Sequence, residues 1–208
     1  MKAIFNHFNS LGGLYNVSQE NLLDTRIFND EIKLIEEYLK RDIPKLLWNI
    51  LKKYQGHGFN DEVGFNVTTN IPILGNSTFL EFGQFLSLCQ EASLYLLDVL
   101  ENNSDIFGHD FLPFAEATPG DYIALNISEQ SVYFISHDFS DNEQSQIKSL
   151  FKNKCENSLK DYFLHLCKHT EENRILEKTP RITSVEYSND LLSLMQKWKN
   201  KETSNKER

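Results

Sequence analysis

The middle of this sequence contains neither lysine nor arginine. Residues 54–147 form a run of 94 residues with 14 acidic side chains and no Lys or Arg, while the whole chain has 21 Lys and Arg and a formal net charge of -9. Such a segment repels phosphate backbones, so we expect no direct binding of nucleic acid. The same negative potential accelerates encounter with a basic protein, although an acidic surface that serves only solubility is the alternative.

Long apolar runs and a disulfide framework are also missing. No apolar run approaches the roughly 18 residues that a membrane-spanning helix needs. Asn6 and His7 interrupt the N-terminal apolar residues, so the pattern does not predict a secretory signal. The three cysteines, Cys89, Cys155 and Cys167, are odd in number and widely spaced, which favours a reducing compartment. We therefore expect a cytoplasmic protein that does not enter a membrane.

The sequence carries none of the short motifs that signal catalysis. It has no G-x-S-x-G, no Walker-type glycine loop, no dinucleotide fingerprint, no paired C-x-x-C and no H-E-x-x-H. Each cysteine stands beside apolar residues, which is typical of a buried thiol and not of a nucleophile. We expect a protein that is not an enzyme and that has no catalytic residues, no cofactor and no metal.

Two histidine arrangements keep a small metal-dependent hydrolase as an alternative. His165 and His169 are spaced as one helical turn, and Glu172 could add a carboxylate; the competing interpretation is a helix end with histidines near its C-terminal dipole. The doublets at residues 109–110 and 137–138 are both His-Asp. A metal-dependent phosphohydrolase of the HD type needs such a doublet on a helix. Both doublets in this sequence flank predicted strands.

Apolar spacing predicts helices at residues 30–40 and 88–101, with a third helix between them. That third helix opens at Pro44 and ends at Gly56. Ser87 and Gln90 have the form of a capping box ahead of the helix at 88–101. Further expectations concern shorter elements: a strand or hydrophobic lead-in at residues 4–8, strands at 65–69 and 71–74, a helix through Leu166, a strand at 182–187 and a helix at 191–198.

Residues 111–139 are the most informative part of the sequence. An apolar stretch leads to Pro119-Gly120, the pair that a type II turn requires, because proline fixes φ and glycine accepts a positive φ. Residues 122–127 then alternate between apolar and other side chains, and residues 132–135 are β-branched and aromatic. The pattern predicts a β-hairpin with a four-residue connection, covered on one side by helices.

The hairpin resembles that of the SUKH superfamily, the fold shared by Syd, Smi and Knr proteins. The matching pieces are Leu-Pro-Phe-Ala at residues 112–115, Gly-Asp-Tyr at 120–122, Val-Tyr-Phe at 132–134 and His-Asp at 137–138. Residues 158–166 are similar to the closing helix of the family. Gln55, where the family usually has Asn, and the long region at 79–100 depart from the family pattern.

The resemblance implies an α+β fold, with a mainly antiparallel sheet, helices packed against it and no enzymatic activity. We place a SUKH-like single domain at residues 28–170, an N-terminal extension at 1–27 and a C-terminal extension with a short helix and a Lys-rich end at 171–208. Many members of the superfamily neutralise a toxin, often a nuclease, and others are regulatory adaptors.

An immunity protein against a basic toxin is therefore the leading hypothesis, and an intracellular adaptor of the same fold is the alternative. The hairpin residues are expected to form the core, so acidic side chains in loops around the sheet are the candidates for contact with the toxin. These partner-binding candidates are Asp61, Glu62, Asp105, Asp110, Glu116 and Asp121.

Overall fold

The computed structural model describes residues 1–17, 25–67, 78–136 and 152–170, in which pairs of helices separate runs of consecutive strands. The helices are α1 Lys2–Ser10, α2 Thr25–Leu39, α3 Lys45–Tyr54, α4 Leu96–Asn102, α5 Ser104–Phe107 and α6 Leu159–His165. The strands are β1 Leu14–Asn16, β2 His57–Phe59, β3 Val63–Asn66, β4 Phe79–Glu81, β5 Gln84–Phe85, β6 Phe111–Glu116, β7 Tyr122–Asn126, β8 Ser131–Ile135, β9 Lys152–Glu156 and β10 Leu166–Lys168.

The strands form two antiparallel sheets. The larger sheet has seven strands in the order β1-β2-β5-β6-β7-β8-β9, and the smaller has three in the order β10-β3-β4. Every neighbouring pair of these strands is antiparallel. The predicted α+β class with a mainly antiparallel sheet is confirmed. Of the helices in the described ranges, none is long and apolar enough to cross a membrane.

The N-terminal apolar residues form a helix and not the strand suggested for residues 4–8. Ile4 and Phe8 lie on the same face of α1, because residues four apart are neighbours on a helix, and both are fully buried. Nε2 of His7 lies 2.8 Å from the carbonyl oxygen of Leu166, which ties α1 to β10. The domain boundaries at residues 28 and 170 stay a prediction.

The two helices predicted near the N-terminus are present with small changes in their bounds. α2 begins at Thr25, earlier than residue 30, and the chain leaves it at Lys40, whose φ of 55° is left-handed. α3 follows Pro44 and buries Leu47, Trp48, Ile50, Leu51 and Tyr54 on one face. Gly56, with a φ of 66°, then turns the chain into β2, as the helix-stop pattern predicts.

The hairpin prediction is confirmed at both turns. Gly120 has a φ of 89°, and the Asp121 amide donates to the carbonyl oxygen of Thr118 at 2.8 Å, which closes the type II turn between β6 and β7. In the β7–β8 pair, Tyr122 lies opposite Ile135 and Asn126 lies opposite Ser131, which leaves four residues in the connection. The motif residues Leu112, Phe114, Ile123, Leu125, Val132 and Phe134 are all fully buried.

The helix predicted at residues 88–101 is wrong in its first half, because α4 starts only at Leu96. The capping box does not form: the Ser87 hydroxyl accepts from the Cys89 amide at 3.0 Å. The side chain of Gln90 donates to Glu31 on α2. A partner distant in sequence therefore overrides the local helix signal, and residues 88–94 form a loop.

The remaining predicted elements have mixed outcomes. The strand expected at residues 65–69 is present in part, as β3 over Val63–Asn66. The predicted helix through Leu166 is α6, which ends at His165, and Leu166 starts β10. The predicted strand at 71–74 and the elements at 182–187 and 191–198 lie outside the described residues.

The turn before β7 provides a stability test. Asp121 is 7% exposed, and its carboxylate accepts from the Thr118 hydroxyl at 2.7 Å and from the Ser136 hydroxyl at 2.9 Å. Asp121→Ala leaves both donors without this acceptor, and we expect it to lower the free energy of unfolding by about 2–4 kcal/mol in urea denaturation. Asp105→Ala, at an exposed position, should change it by less than about 0.5 kcal/mol. Equal effects of the two substitutions would contradict the assignment.

Candidate interaction surface

Helices α4 and α5 display acidic side chains within the Lys- and Arg-free segment. Asp98, Glu101 and Asp105 are all exposed, and they follow one another at spacings of three and four residues. In the described part of the chain, no Lys, Arg or His lies within salt-bridge distance of these three carboxylates. We call Asp98, Glu101 and Asp105 the acidic face. Only Asp105 was among the candidates from sequence.

The candidates Asp61 and Glu62 lie between β2 and β3 and pair with residues at the end of β10. Asp61 Oδ2 accepts from Lys168 Nζ at 2.7 Å, and Glu62 Oε1 lies 2.6 Å from His169 Nδ1. The His169 ring also stacks on Phe79 with ring centroids 4.2 Å apart. These contacts join β10 to β3 and β4, so both carboxylates have structural contacts in addition to their partial exposure.

The candidates Glu116 and Asp121 belong to the β6–β7 turn. Glu116 is half-buried, and its Oε1 accepts from the Gly120 amide at 3.1 Å. Asp121 is buried and bonded to two hydroxyl groups within the hairpin. The two carboxylates thus stabilise the turn that sets the hairpin register.

Basic residues from outside the Lys- and Arg-free segment contact some of its acids. Arg41 donates to Asp110 at 3.2 Å, and Lys154 lies 3.5 Å from Glu129. Lys168 makes the contact with Asp61 described above. The acidic potential is therefore partly offset at these points, whereas the acidic face on α4 and α5 has no ion pair within the described ranges.

Residues 88–94 form a loop, named here the 88–94 loop, that closes on itself beside α4. The amide of Ser87 donates to the carbonyl oxygen of Leu94 at 2.9 Å, and the amide of Leu96 donates to that of Ser87 at 2.8 Å. Two successive turns lie between these bonds: the Ala92 amide donates to the carbonyl oxygen of Cys89, and the Tyr95 amide donates to the carbonyl oxygen of Ala92. Gln90, Glu91 and Ser93 are exposed on it.

The buried carboxylate of Glu31 holds this loop from α2. Glu31 is 4% exposed; its Oε2 accepts from the Tyr95 hydroxyl at 2.5 Å and its Oε1 accepts from Gln90 Nε2 at 2.8 Å. Burial, and next the bond to Glu31, raises the pKa of Tyr95, so the phenol keeps its proton and remains a donor. Both oxygens of the buried Glu31 side chain thereby have a hydrogen-bond donor.

The side chain of Gln55 supports the base of the same loop. Gln55 follows α3, is 4% exposed, and its Oε1 accepts from the Leu88 amide at 2.9 Å. Its Nε2 has no hydrogen-bond acceptor among the described residues. Two polar side chains that are more than nine-tenths buried, from α2 and from the end of α3, therefore converge on one loop.

Sequence reasoning missed Glu31 and the loop itself, and it noted Gln55 only as a departure from the family pattern. The signal for Glu31 was present: it lies on the apolar face of α2, between the buried Phe28 and Ile35 at helical spacing. A carboxylate on such a face is costly unless it is paired, so its position indicates a buried partner. The identity of that partner is not visible in the sequence, because Tyr95 is 64 residues away.

Among the described residues, the histidines that suggested a hydrolase do not form one group; His137 and Glu172 lie outside the described ranges. α6 ends at His165, so His165 and His169 are not one helical turn apart, and each contacts a different acid, Glu156 and Glu62. His109 is exposed and contacts the ring of Tyr38. Within residues 1–17, 25–67, 78–136 and 152–170, no three His, Cys, Asp or Glu side chains are grouped to hold a metal ion.

Two glutamates should affect stability with opposite dependence on pH. Burial and the neighbouring Glu62 raise the pKa of Glu81, against the opposing effect of His169. The folded state therefore binds this proton more tightly than the unfolded state, and stability falls as pH rises through the unfolded and folded pKa values. We expect Glu81→Gln to remove this fall, and urea unfolding between pH 3.5 and pH 7 measures it.

The pKa of Glu129 is shifted in the opposite direction, so Glu129 serves as the control. Hydrogen bonds from Tyr133 and Ser131, together with Lys154, lower the pKa of Glu129. The stabilisation from Glu129 is present above its pKa in the unfolded state and is lost as pH falls through its pKa in the folded state. Glu129→Gln should therefore weaken the protein at pH 7 and not at low pH. The same pH profile in both variants would refute the assignment.

Comparison with known protein families covers most of the described residues. A family model described as SMI1 / KNR4 family (SUKH-1) matches residues 27–165, more than half of the chain. No curated protein matches the sequence. The matched range includes most of α2, the helices α3 to α6, the strands β2 to β9 and the hairpin residues that suggested the superfamily. The chain therefore belongs to the SMI1/KNR4 family, SUKH-1.

Proposed function

We propose that the protein is an immunity protein of the cytoplasm that binds and neutralises a cognate, basic toxin domain and has no catalytic activity of its own. Membership of the SMI1/KNR4 family supports this proposal, because many SUKH proteins neutralise toxins. The observation that carries it is the acidic face, in which Asp98, Glu101 and Asp105 are exposed and have no ion-pair partner among the described residues.

Charge complementarity gives the acidic face a physical role. An immunity protein must capture its toxin quickly, and opposite charges on the two surfaces raise the rate of association by steering the encounter. Many toxins of this class are nucleases, whose substrate surfaces must be basic to bind phosphate backbones. A negative face is complementary to that surface, and it repels nucleic acid.

The other acidic candidates are assigned different roles in the proposal. Asp61, Glu62 and Asp110 are partly exposed but already contact Lys168, His169 and Arg41. They extend the negative surface with reduced charge. Glu116 and Asp121 act through the turn that they stabilise, and we do not expect direct contact with the toxin from the buried carboxylate of Asp121.

Co-expression with the toxin domain encoded next to this gene tests the function. We expect rescue of growth and a complex that survives purification. Failure of both would refute the proposal. An adaptor of the same fold would instead be recovered from its native cells with a chromosomal protein unrelated to any toxin.

A matched pair of triple variants tests the role of charge. Asp98→Asn, Glu101→Gln and Asp105→Asn together neutralise the acidic face. The control, Asp30→Asn, Glu37→Gln and Asp42→Asn, makes the same change at three exposed acids outside the Lys- and Arg-free segment. We expect the first variant to slow association with the toxin domain about tenfold at low ionic strength and much less at high salt. Equal slowing in both variants would contradict a specific acidic face.

A further inference from the structure

The 88–94 loop contradicts its own local sequence signals. Ser87, Gln90 and the apolar spacing after them favour a helix, yet Gln90 and Tyr95 are bonded to Glu31 and the segment is irregular. Natural sequences agree with their fold at most positions, and conflicts of this kind concentrate where a shape serves a function. The loop is therefore a candidate for a role beyond connecting β5 to α4.

Stability alone does not explain the buried carboxylate. Burying Glu31 has a desolvation cost, and replacement of such buried polar groups by apolar side chains is often neutral or stabilising. The carboxylate instead fixes the positions of two side chains. Its two oxygens hold Gln90 at the exposed side of the loop and Tyr95 at the end of the loop. This arrangement specifies the loop's shape.

Gln55 supplies an independent observation at the same place. Its Oε1 binds the Leu88 amide at the base of the loop, so its Nε2 lies there too, buried and without an acceptor in the part of the chain that the structure describes. A buried donor without an acceptor is costly. A small shift of the loop in a complex can supply the missing acceptor and thereby contribute to binding.

The exposed side chains of the loop indicate the chemistry of its partner. Gln90, Glu91 and Ser93 are exposed, and Glu91 accepts a hydrogen bond from the Cys89 thiol at 2.9 Å. That bond is the main cause of the lowered pKa of Glu91, so this side chain stays negative. The loop runs directly into α4, which carries the first two residues of the acidic face. A basic protein surface fits this combination.

We propose that the 88–94 loop is the surface by which the protein contacts its basic protein partner, and that Glu31 is the positioning residue that holds the loop in its binding shape. The inference rests on the proposed function, which it deepens by naming the contact. Glu31 itself does not reach the partner, because it is buried under the loop.

A matched pair of serine substitutions tests the surface. Ser93 in the loop and Ser128 in the β7–β8 connection are both exposed, and both lie in the Lys- and Arg-free segment. We expect Ser93→Lys to weaken binding of the neighbouring gene's toxin domain at least about tenfold, mainly by faster dissociation, because it places a like charge in the contact. Ser128→Lys makes the same charge change and should leave the affinity within about twofold.

Three substitutions test the positioning role without touching the surface. Glu31→Ala should accelerate amide hydrogen exchange across residues 88–95 and raise the dissociation rate from the toxin domain about tenfold, measured on variants that are folded by circular dichroism. Glu31→Gln can still accept from Tyr95, and Tyr95→Phe leaves the Gln90 bond, so both should give intermediate values. If Glu31→Ala does not fold, these two variants carry the test.

The outcomes separate the two proposals. A wild-type chain that forms no complex refutes the proposed function, and the loop inference falls with it. A wild-type complex that Ser93→Lys leaves unchanged, or that both serine variants weaken equally, overturns the loop as the contact surface. Faster hydrogen exchange in the Glu31 and Tyr95 variants with unchanged dissociation overturns the positioning role of Glu31 alone.

Discussion

An aromatic cluster around Phe8, Phe85 and Phe163 is the interaction on which the rest of the structure depends. The Phe8 ring lies 6.3 Å from that of Phe85 and 5.7 Å from that of Phe163, so α1, β5 and α6 meet in one place. Phe114 of β6 joins the cluster at 5.5 Å from Phe163. β5 has only two residues, and a strand of that length is positioned by packing more than by its ladder. The 88–94 loop follows β5 closely, so the cluster also sets where that loop begins.

The hairpin and the loop mark what the sequence could and could not predict. Pro119 and Gly120 encode their turn locally, and the alternation of residues 122–127 encodes the strand, so the structure matches the prediction there. The loop is encoded by a contact between segments 64 residues apart, Glu31 to Tyr95, and local periodicity points the other way. Helix propensity is a weak preference that tertiary contacts override. Tertiary packing also explains α1, because Ile4 and Phe8, which suggested a strand, are buried on one face of a helix.

The charge of a segment does not by itself show which of its acidic side chains are exposed and unpaired in the fold. Of the six acids proposed from sequence, Asp121 and Glu116 stabilise a turn, and three others contact Lys168, His169 or Arg41. Only Asp105 combines exposure with no ion pair among the described residues. Counting acids along the chain could not distinguish these roles, because the cations that offset them come from elements distant in sequence. Asp98, Glu101 and Asp105 on α4 and α5 are exposed and have no ion pair among the described residues, and α4 follows the 88–94 loop in sequence.

The family resemblance and the proposed specificity are carried by different residues. The apolar motif residues Leu112, Phe114, Val132 and Phe134 are fully buried, so they determine the fold and are not available to a partner. The two departures from the family pattern, Gln55 and the long region at 79–100, meet in a single hydrogen bond from the Leu88 amide to Gln55 Oε1. A substitution at the end of α3 and a long connection after β5 are thus parts of one arrangement. Because that arrangement shapes an exposed loop on a shared core, it is where we expect this chain to differ in its choice of partner from proteins of the same fold.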